Sequence, residues 1–421
     1  MASGFVLAAP ASGSGKTSLT FGLLAAFRAA GIAAQGFKVG PDFIDPHFHA
    51  LASGLPCLNL DPWAMTPERL RALVGTSEAE LCVVEGVMGL FDGAQSGGGS
   101  TADLAKALDL PVILVVDAKG MSGSVAALVQ GFKNFDPDVR FAGVILNRVG
   151  SPRHEAMLRD ALSDQDIHVY GALPRLPGMA WPSRHLGLTL PRELPNMDVQ
   201  ARVLAKEIAS RFDLAGLRQL ADPVAKHTTR QTRFFPANAT VAIAQDDAFS
   251  FAYPHWLDGS ELRFSPLNNE RAPEHADFVF LPGGYPELHA KTLSQASAFW
   301  DSLRGAQDRG ALIYGECGGY MALGEAMVVS GKRFEMAGLL PVVTHFEPST
   351  PRTLGYRSIS APEDFWAGTR LKGHEFHAST AECLEPPTLF EVADSRQASL
   401  GLHGHRRGNT FGSYMHIIDR A

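Results

Sequence analysis

No stretch of this chain gathers lysine and arginine, and its 44 acidic side chains outnumber the 37 basic ones for a net charge of −7. A nucleic-acid footprint needs the opposite, a basic patch on one face or along one helix, so neither DNA nor RNA is an expected partner. There is no run of about 20 uninterrupted apolar residues, the length that spans a bilayer as a helix, and no membrane span is expected. The first residues lack a cationic region followed by a long apolar one, because Pro10 and the nearby glycines interrupt the early apolar stretch; a secretory signal is not expected. Cysteine is sparse. Cys57, Cys82, Cys317 and Cys383 lie far apart with no CxxC pair, which argues against a disulfide framework and for a reducing, cytoplasmic setting.

What remains is the composition of a folded enzyme, 45% apolar and 19% charged over 421 residues. A single core stops growing at about 250–300 residues, so two domains are expected. Through the first half, short apolar runs ("GFVLAAP", "AQGFKVG", "LCVVEGV", "PVILVVDA", "FAGVILNRV", "VYGALPR") alternate with helical patterns. Continuous apolarity marks strands buried on both faces, hence a parallel sheet flanked by helices. The rhythm lapses between Asp213 and Asn238 and restarts at "TVAIAQD", continuing through "ELRFSPL", "DFVFLPGG" and "ALIYGEC" with a helix-length segment at Leu293 to Asp308. Two α/β domains follow, 1–230 and 231–421, with no internal repeat. "SGGGS" (Ser96 to Ser100) reads as either a mobile loop or a close-approach loop.

A phosphate cradle is written near the start. In "APASGSGKTSLTFGLL" a strand runs into a small-residue loop and then an apolar helix. Backbone N–H groups of Gly13, Ser14, Gly15, Lys16, Thr17 and Ser18 can wrap phosphates at a helix N-terminus, with the Lys16 ammonium adding charge and the Thr17 hydroxyl available to Mg²⁺. Pro10 stands where GxxxxGK[ST] has its first glycine, so the motif is a variant. Asp45 and Glu85 follow or end buried strands and are candidate Mg²⁺ ligands, Asp45 having the alternative of capping a helix before Pro46. Asp42 and Asp92 share the same sheet edge and can face a second substrate. Asn147, ending "ILNRVGS", is a candidate reader of an adenine edge, or merely a turn residue.

A sulfur nucleophile is written near the other end. "ALIYGECGGYMALGEAM" has the strand, GxCxG turn and helix that present a side chain on a sharp elbow, with Cys317 as nucleophile and an inert buried thiol as the alternative. A free thiol with a pKa of about 8.5 is mostly protonated at neutral pH and needs a base. Of 15 histidines, His416 in "FGSYMHIIDRA" is the candidate, a core histidine being the alternative. Gly318 and Gly284, the latter in "FLPGGYPEL", are candidate oxyanion N–H donors. "GHEFHAS" lacks the HExxH spacing of a zinc site, and His374, Glu375 and His377 read as a polar, substrate-facing loop.

In order along the chain, "APASGSGKTS", "KVGPDFIDPHF", "VVEGVMGLFDG", "PSRHLGL", "LPGGYPE", "GECGGYM", "LGYR" and "GHEFH" resemble the signatures of the cobyrinic acid a,c-diamide synthase family, two-domain amidotransferases of cobalamin biosynthesis that include forms acting on hydrogenobyrinic acid. The resemblance implies a P-loop domain similar to dethiobiotin synthetase followed by a class I glutamine amidotransferase-like domain. It implies MgATP at Lys16 and Thr17, with Mg²⁺ on Thr17, Asp45 and Glu85, phosphorylating a peripheral carboxylate of a corrinoid polycarboxylate. It also implies ammonia released from glutamine by Cys317 and His416. Typical class I domains carry HxE, but position 418 is Ile418; the family lacks that glutamate too, and another group must orient the histidine. Alternatives are a related tetrapyrrole amidotransferase, such as cobyric acid synthase or a nickel-sirohydrochlorin relative, and a non-catalytic P-loop ATPase with a degenerate amidotransferase module. A homodimer is compatible with the sequence.

Overall fold

The computed structural model describes residues 2–176, 181–184, 187–225, 234–347 and 349–421. The chain divides into two compact units, Met1–Gln231 and Thr232–Ala421. The boundary expected at residue 230, and His185 with Leu186 of "PSRHLGL", lie outside the described residues.

In the first unit the six apolar runs become strands of one sheet. They are β1 (Ser3–Ala8), β2 (Ala34–Val39), β4 (Leu81–Glu85), β5 (Val112–Asp117), β6 (Phe141–Val149) and β7 (Val169–Pro174). A seventh, β3 (Leu58–Leu60), is too short to stand out in the sequence. The order is β3-β2-β4-β1-β5-β6-β7, all parallel, with Asp222–Pro223 added antiparallel beside β1. Helix α1 (Lys16–Ala29) covers the sheet and buries Leu19, Phe21, Leu23, Leu24 and Phe27 completely; each such side chain contributes about 1.5–3 kcal/mol. Helix α2 (Asp45–Ser53) follows β2. In this arrangement the loops after β1, β2, β4 and β6 leave from the same, C-terminal edge of the sheet, where open α/β sheets bind ligands.

The second unit has a parallel core of Leu262–Phe264, Val241–Ala244, Phe278–Leu281, Leu312–Glu316 and Thr410–Ser413 in that spatial order, with His405–Arg407 antiparallel at the edge. Ala242, Val279, Leu281 and Ile313 form its core with Phe299, Trp300 and Leu303 of the helix Ser297–Asp308. The expected helix from Leu293 starts later, at Ser297, and Leu293 ends a separate short helix, Ala290–Leu293. Two sheets that the strand rhythm did not announce complete the unit, a four-stranded one with mixed parallel and antiparallel pairing and an antiparallel one. One, of five strands, places Arg370–His377 between Thr353–Ser360 and Met415–Arg420. Among the described residues no helix is long and apolar enough to cross a membrane.

Candidate functional site

In the first unit the residues between β1 and α1 turn with Gly13 and Gly15 at φ of 79° and 89°. Glycine adopts this left-handed conformation without the roughly 1–2 kcal/mol that a side chain would cost. Gly15 also lies hard against the Asn147 amide, leaving no room for a Cβ. The loop is tied internally by Ser14 Oγ donating to the Ala11 carbonyl at 2.8 Å, and externally by Asn147 Nδ2 donating to the Ser14 carbonyl at 2.9 Å. Asn147 Oδ1 accepts from the Arg148 N–H at 2.9 Å. Both ends of the amide expected to read an adenine edge therefore make a bond within the protein, and the bond to Ser14 ties the loop to β6. Ser18 follows, half-buried, in the first turn of α1.

Lys16 is 6% exposed and donates to the Met88 carbonyl at 2.5 Å. Burial, and then the positive charge of Lys38, lower its pKa to about 8. The free protein therefore loses the Lys16 charge as pH rises through about 8, while a bound polyphosphate favours the ammonium form. Binding of MgADP at pH 8.5 should draw a proton from solution and weaken relative to pH 7. Calorimetry in buffers of different ionisation enthalpy measures that uptake, and a proton balance of zero at pH 8.5 contradicts it.

Thr17, Asp45 and Glu85 come together. Thr17 Oγ1 lies 3.0 Å from Asp45 Oδ2 and 2.9 Å from Glu85 Oε1. Three hard oxygens at one point are a donor set that suits Mg²⁺. The positive charge between the two carboxylates is supplied by Lys38, whose Nζ is 2.7 Å from Asp45 Oδ2 and 2.8 Å from Glu85 Oε1. Parallel register sets Lys38 opposite Glu85 on neighbouring strands. His49 Nε2 contacts the other Glu85 oxygen at 2.5 Å. Burial alone would raise Glu85, but Lys38 and His49 hold it well below the usual carboxylate range; burial and then the charge of Asp42 push Asp45 up to about 7. Burial opposes the Lys38 charge, yet Asp45 and Glu85 outweigh it and raise that lysine.

Lys38 and His49 were not singled out from the sequence. A signal existed for Lys38, since a lysine inside "GFKVG" on a strand buried on both faces needs a partner, as Glu85 does. Asp45 is the first residue of α2 and not its N-cap, which is Ile44, and Asp42 Oδ1 accepts from the N–H groups of Ile44 and Asp45 at 2.8 and 3.0 Å. Asp92 is exposed, accepts from the Gly89 N–H at 2.7 Å, and lies close enough to Lys16 to favour its charged form.

In the second unit Cys317 follows the strand Leu312–Glu316 and precedes the helix Gly318–Leu323, at φ 45° and ψ −104°. A non-glycine residue in that region stores strain of roughly 1–3 kcal/mol and marks functional turns. The elbow does not present the thiol to solvent as expected: Cys317 is 2% exposed. Burial pushes the thiol well above its ordinary range, and a hydrogen bond from the Gly318 N–H is what favours the thiolate. Gly284 N lies 3.0 Å from the point where a Cβ on Gly318 would sit, so the two candidate oxyanion donors are neighbours. The next residue back, Gly283, faces the edge of the His416 ring closely enough to exclude a side chain.

His416 is 1% exposed and lies near the start of the strand Met415–Arg420. Burial, then the charges of His374 and His377, lower its pKa to about 3, so it is a neutral base at pH 7. His374 sits opposite it on the paired strand. Glu316 Oε2 stands 3.8 Å from His416 Nδ1; this carboxylate was also not singled out from the sequence.

The "GHEFHAS" segment is a correction. It is not a loop: Arg370–His377 is a strand paired on both sides, and His374, Glu375 and His377 are 5–6% exposed. Arg357 places both Nε and Nη2 at 2.8 Å from Glu375 Oε2, His377 Nε2 is 3.1 Å from Oε1, and Ser379 Oγ meets His377 Nδ1 at 2.9 Å. The Glu375 carboxylate and the His377 ring are committed to a network within the protein. The charge of Glu375 still reaches Cys317, raising its pKa.

Comparison with known proteins fits both halves of this geometry. Residues 5–188 match the CobQ/CobB/MinD/ParA nucleotide binding domain and residues 240–420 the CobB/CobQ-like glutamine amidotransferase domain. The chain is 47% identical to the hydrogenobyrinate a,c-diamide synthase of Brucella anthropi, over 99% of this chain and 98% of that protein. It is 47% identical to the one from Rhizobium meliloti, over 99% of each chain. With that of Rhodobacter capsulatus the identity is 44% over 99% of this chain and 98% of the other. On these matches, which run from end to end, the chain belongs to the hydrogenobyrinate a,c-diamide synthase family.

Proposed function

We propose that this chain, an amide-forming ligase that draws nitrogen from glutamine, converts the a and c side-chain carboxylates of hydrogenobyrinic acid, or of its cobalt-bearing counterpart cobyrinic acid, into amides. The observation that carries the reading is the end-to-end match to synthases of that name. The two buried clusters support it, because this reaction needs an acid activated and a nitrogen released.

In the first unit a ring carboxylate oxygen would attack the γ-phosphorus of ATP, ADP leaving, to give an acyl phosphate. Oxide is a poor leaving group and phosphate a good one, so ammonia can then attack the acyl carbon and expel phosphate. Lys16 would exchange the Met88 carbonyl for a phosphate oxygen, and the N–H groups from Gly13 to Ser18 would cradle the chain of phosphates. Thr17, Asp45 and Glu85 would hold Mg²⁺, which supplies charge neutralisation to the phosphates when bound. Lys38, held between Asp45 and Glu85 and close enough to Lys16 to lower its pKa, would add positive charge to the same site.

In the second unit His416 would take the Cys317 proton as the sulfur attacks the γ-amide carbon of glutamine. The oxygen of the resulting adduct would accept from the N–H groups of Gly284 and Gly318. The imidazolium then gives its proton to the departing nitrogen, ammonia leaves, and water cleaves the thioester to glutamate and thiol. Most ammonia released into neutral water would be protonated and unreactive, which favours handing it to the acyl phosphate without release.

Mass spectrometry of tetrapyrrole polycarboxylates incubated with the protein, MgATP and glutamine tests the proposal. Each replacement of OH by NH₂ lowers the mass by about one unit, so hydrogenobyrinic acid should lose about two in successive steps. Lys16→Ala should abolish both steps and leave glutamine hydrolysis measurable. Unchanged tetrapyrrole with the parent protein, or full amidation by Lys16→Ala, refutes it.

A further inference from the structure

Position 418, where class I amidotransferase domains place the glutamate that orients the histidine, is filled by an isoleucine with no solvent exposure. Its carbonyl accepts from Trp256 Nε1 at 3.1 Å and contacts His255 Nε2 at 2.8 Å. A carboxylate there would have to be buried as completely as the isoleucine is. The negative charge instead reaches the histidine from a different strand. Glu316, the last residue of Leu312–Glu316 and the one immediately before the nucleophile, is 1% exposed and sends Oε2 to within 3.8 Å of His416 Nδ1.

Its other oxygen is fixed twice, by Tyr314 Oη at 3.0 Å and by the Ile417 N–H at 3.1 Å. The second bond comes from the residue following His416, so it locks the carboxylate to the strand that carries the imidazole. Tyr314 is itself fully buried and stacked on Phe280. A buried carboxylate held by two donors on one oxygen keeps the other oxygen directed at a single target.

We propose that Glu316 is the positioning residue for His416, a carboxylate supplied by the nucleophile's own strand in place of the HxE glutamate. Across 3.8 Å its charge would favour the proton on Nδ1, leave Nε2 as the base, and stabilise the imidazolium formed when the thiol S–H bond breaks and the N–H bond forms. The proposal rests on the Cys317–His416 reading above. Among the described residues, the other titratable groups facing this pair include His374, His377 and Glu375 from the neighbouring strand, Glu287 from the turn opposite Cys317, and Tyr414. Burial pushes the Glu316 carboxyl up to about 8. In the free protein it therefore acquires its charge only as pH rises through that value, and the reactivity of the thiol should climb over the same interval.

The test follows glutamine hydrolysis, the rate of Cys317 alkylation by iodoacetamide between pH 6 and 10, and amidation from supplied ammonium, for the full-length parent, Glu316→Gln, Glu316→Asp, Cys317→Ser and His416→Asn. Glu316→Gln should lower kcat for glutamine by about 10- to 100-fold with KM changed less than threefold. The loss is smaller than for a serine triad because a thiol ionises more readily than a hydroxyl. Its alkylation profile should lose the limb near pH 8, Glu316→Asp should restore part of both, and ammonium-driven amidation should persist. A parent-like kcat and alkylation profile in Glu316→Gln, or a parallel loss of ammonium-driven amidation that exposes a general packing defect, overturns the role of Glu316. Glutamine hydrolysis surviving in Cys317→Ser or His416→Asn overturns the Cys–His reading itself, a separate outcome.

Discussion

Replacing Cys317 with serine is expected to lower glutamine-dependent amidation by at least about a thousandfold while amidation from added ammonium salts continues. The size of the effect follows from the environment of the sulfur. Burial already holds the thiol protonated in the free protein, and the Gly318 N–H favours its anion only in part; a hydroxyl in the same place, several pKa units less acidic, would be out of reach of a neutral imidazole whose own pKa is near 3. The survival of ammonium-driven turnover follows from the separation of the chemistries, since Cys317 and the Thr17–Asp45–Glu85 cluster belong to different compact units. Steady-state assays with glutamine and with ammonium as alternative donors decide the matter. Loss of both activities in a protein that still binds MgADP would show that the sulfur is needed for more than hydrolysis.

The second large effect is on stability. Lys38→Met should destabilise the first unit by about 3–5 kcal/mol, because it strands two buried carboxylates, Asp45 and Glu85, without their shared cation. For a domain of this size that corresponds to a fall in Tm of roughly 6–20 °C. The sign of the pH dependence is also defined. Asp45 titrates above its unfolded value, at about 7, so its contribution to stability is present in acid and lost as pH rises through that range. Removing Lys38 moves this titration higher, and the gap between variant and parent should narrow from pH 8 to pH 6. Adding Glu85→Gln to Lys38→Met should recover part of the loss. Melting curves followed by circular dichroism measure all three; a Lys38→Met protein melting within 2 °C of the parent at pH 8 would mean that the acid pair is stabilised by something other than this lysine.

How the two sites could be read from the chain differs residue by residue. Lys16, Thr17 and the glycines were visible because a phosphate loop is local: the strand, turn and helix that build it are consecutive. Cys317 was visible for the same reason. Glu85 stood out as a charge inside an apolar run, and the same logic applied to Lys38 would have found its partner. Glu316 and His49 were hidden, because nothing near them in sequence distinguishes a carboxylate or imidazole aimed into a site from one aimed elsewhere. Asn147 and the "GHEFHAS" residues, the latter on a strand and not a loop, illustrate the converse. Their polarity suggested a ligand, but the fold supplies protein partners, the Ser14 carbonyl for Asn147 and Arg357 for Glu375.

Hydrophobic periodicity and turn chemistry, both properties of neighbouring residues, were enough to determine two parallel α/β cores, a phosphate loop and a thiol elbow. Tertiary structure alone decided which charges meet. Strand register sets Lys38 against Glu85, and the convergence of Leu312–Glu316 with Met415–Arg420 brings Glu316 to His416 across a hundred residues of chain. In a buried site the electrostatic outcome depends on distances of a few ångströms between elements remote in sequence, and those distances exist only once the chain has folded.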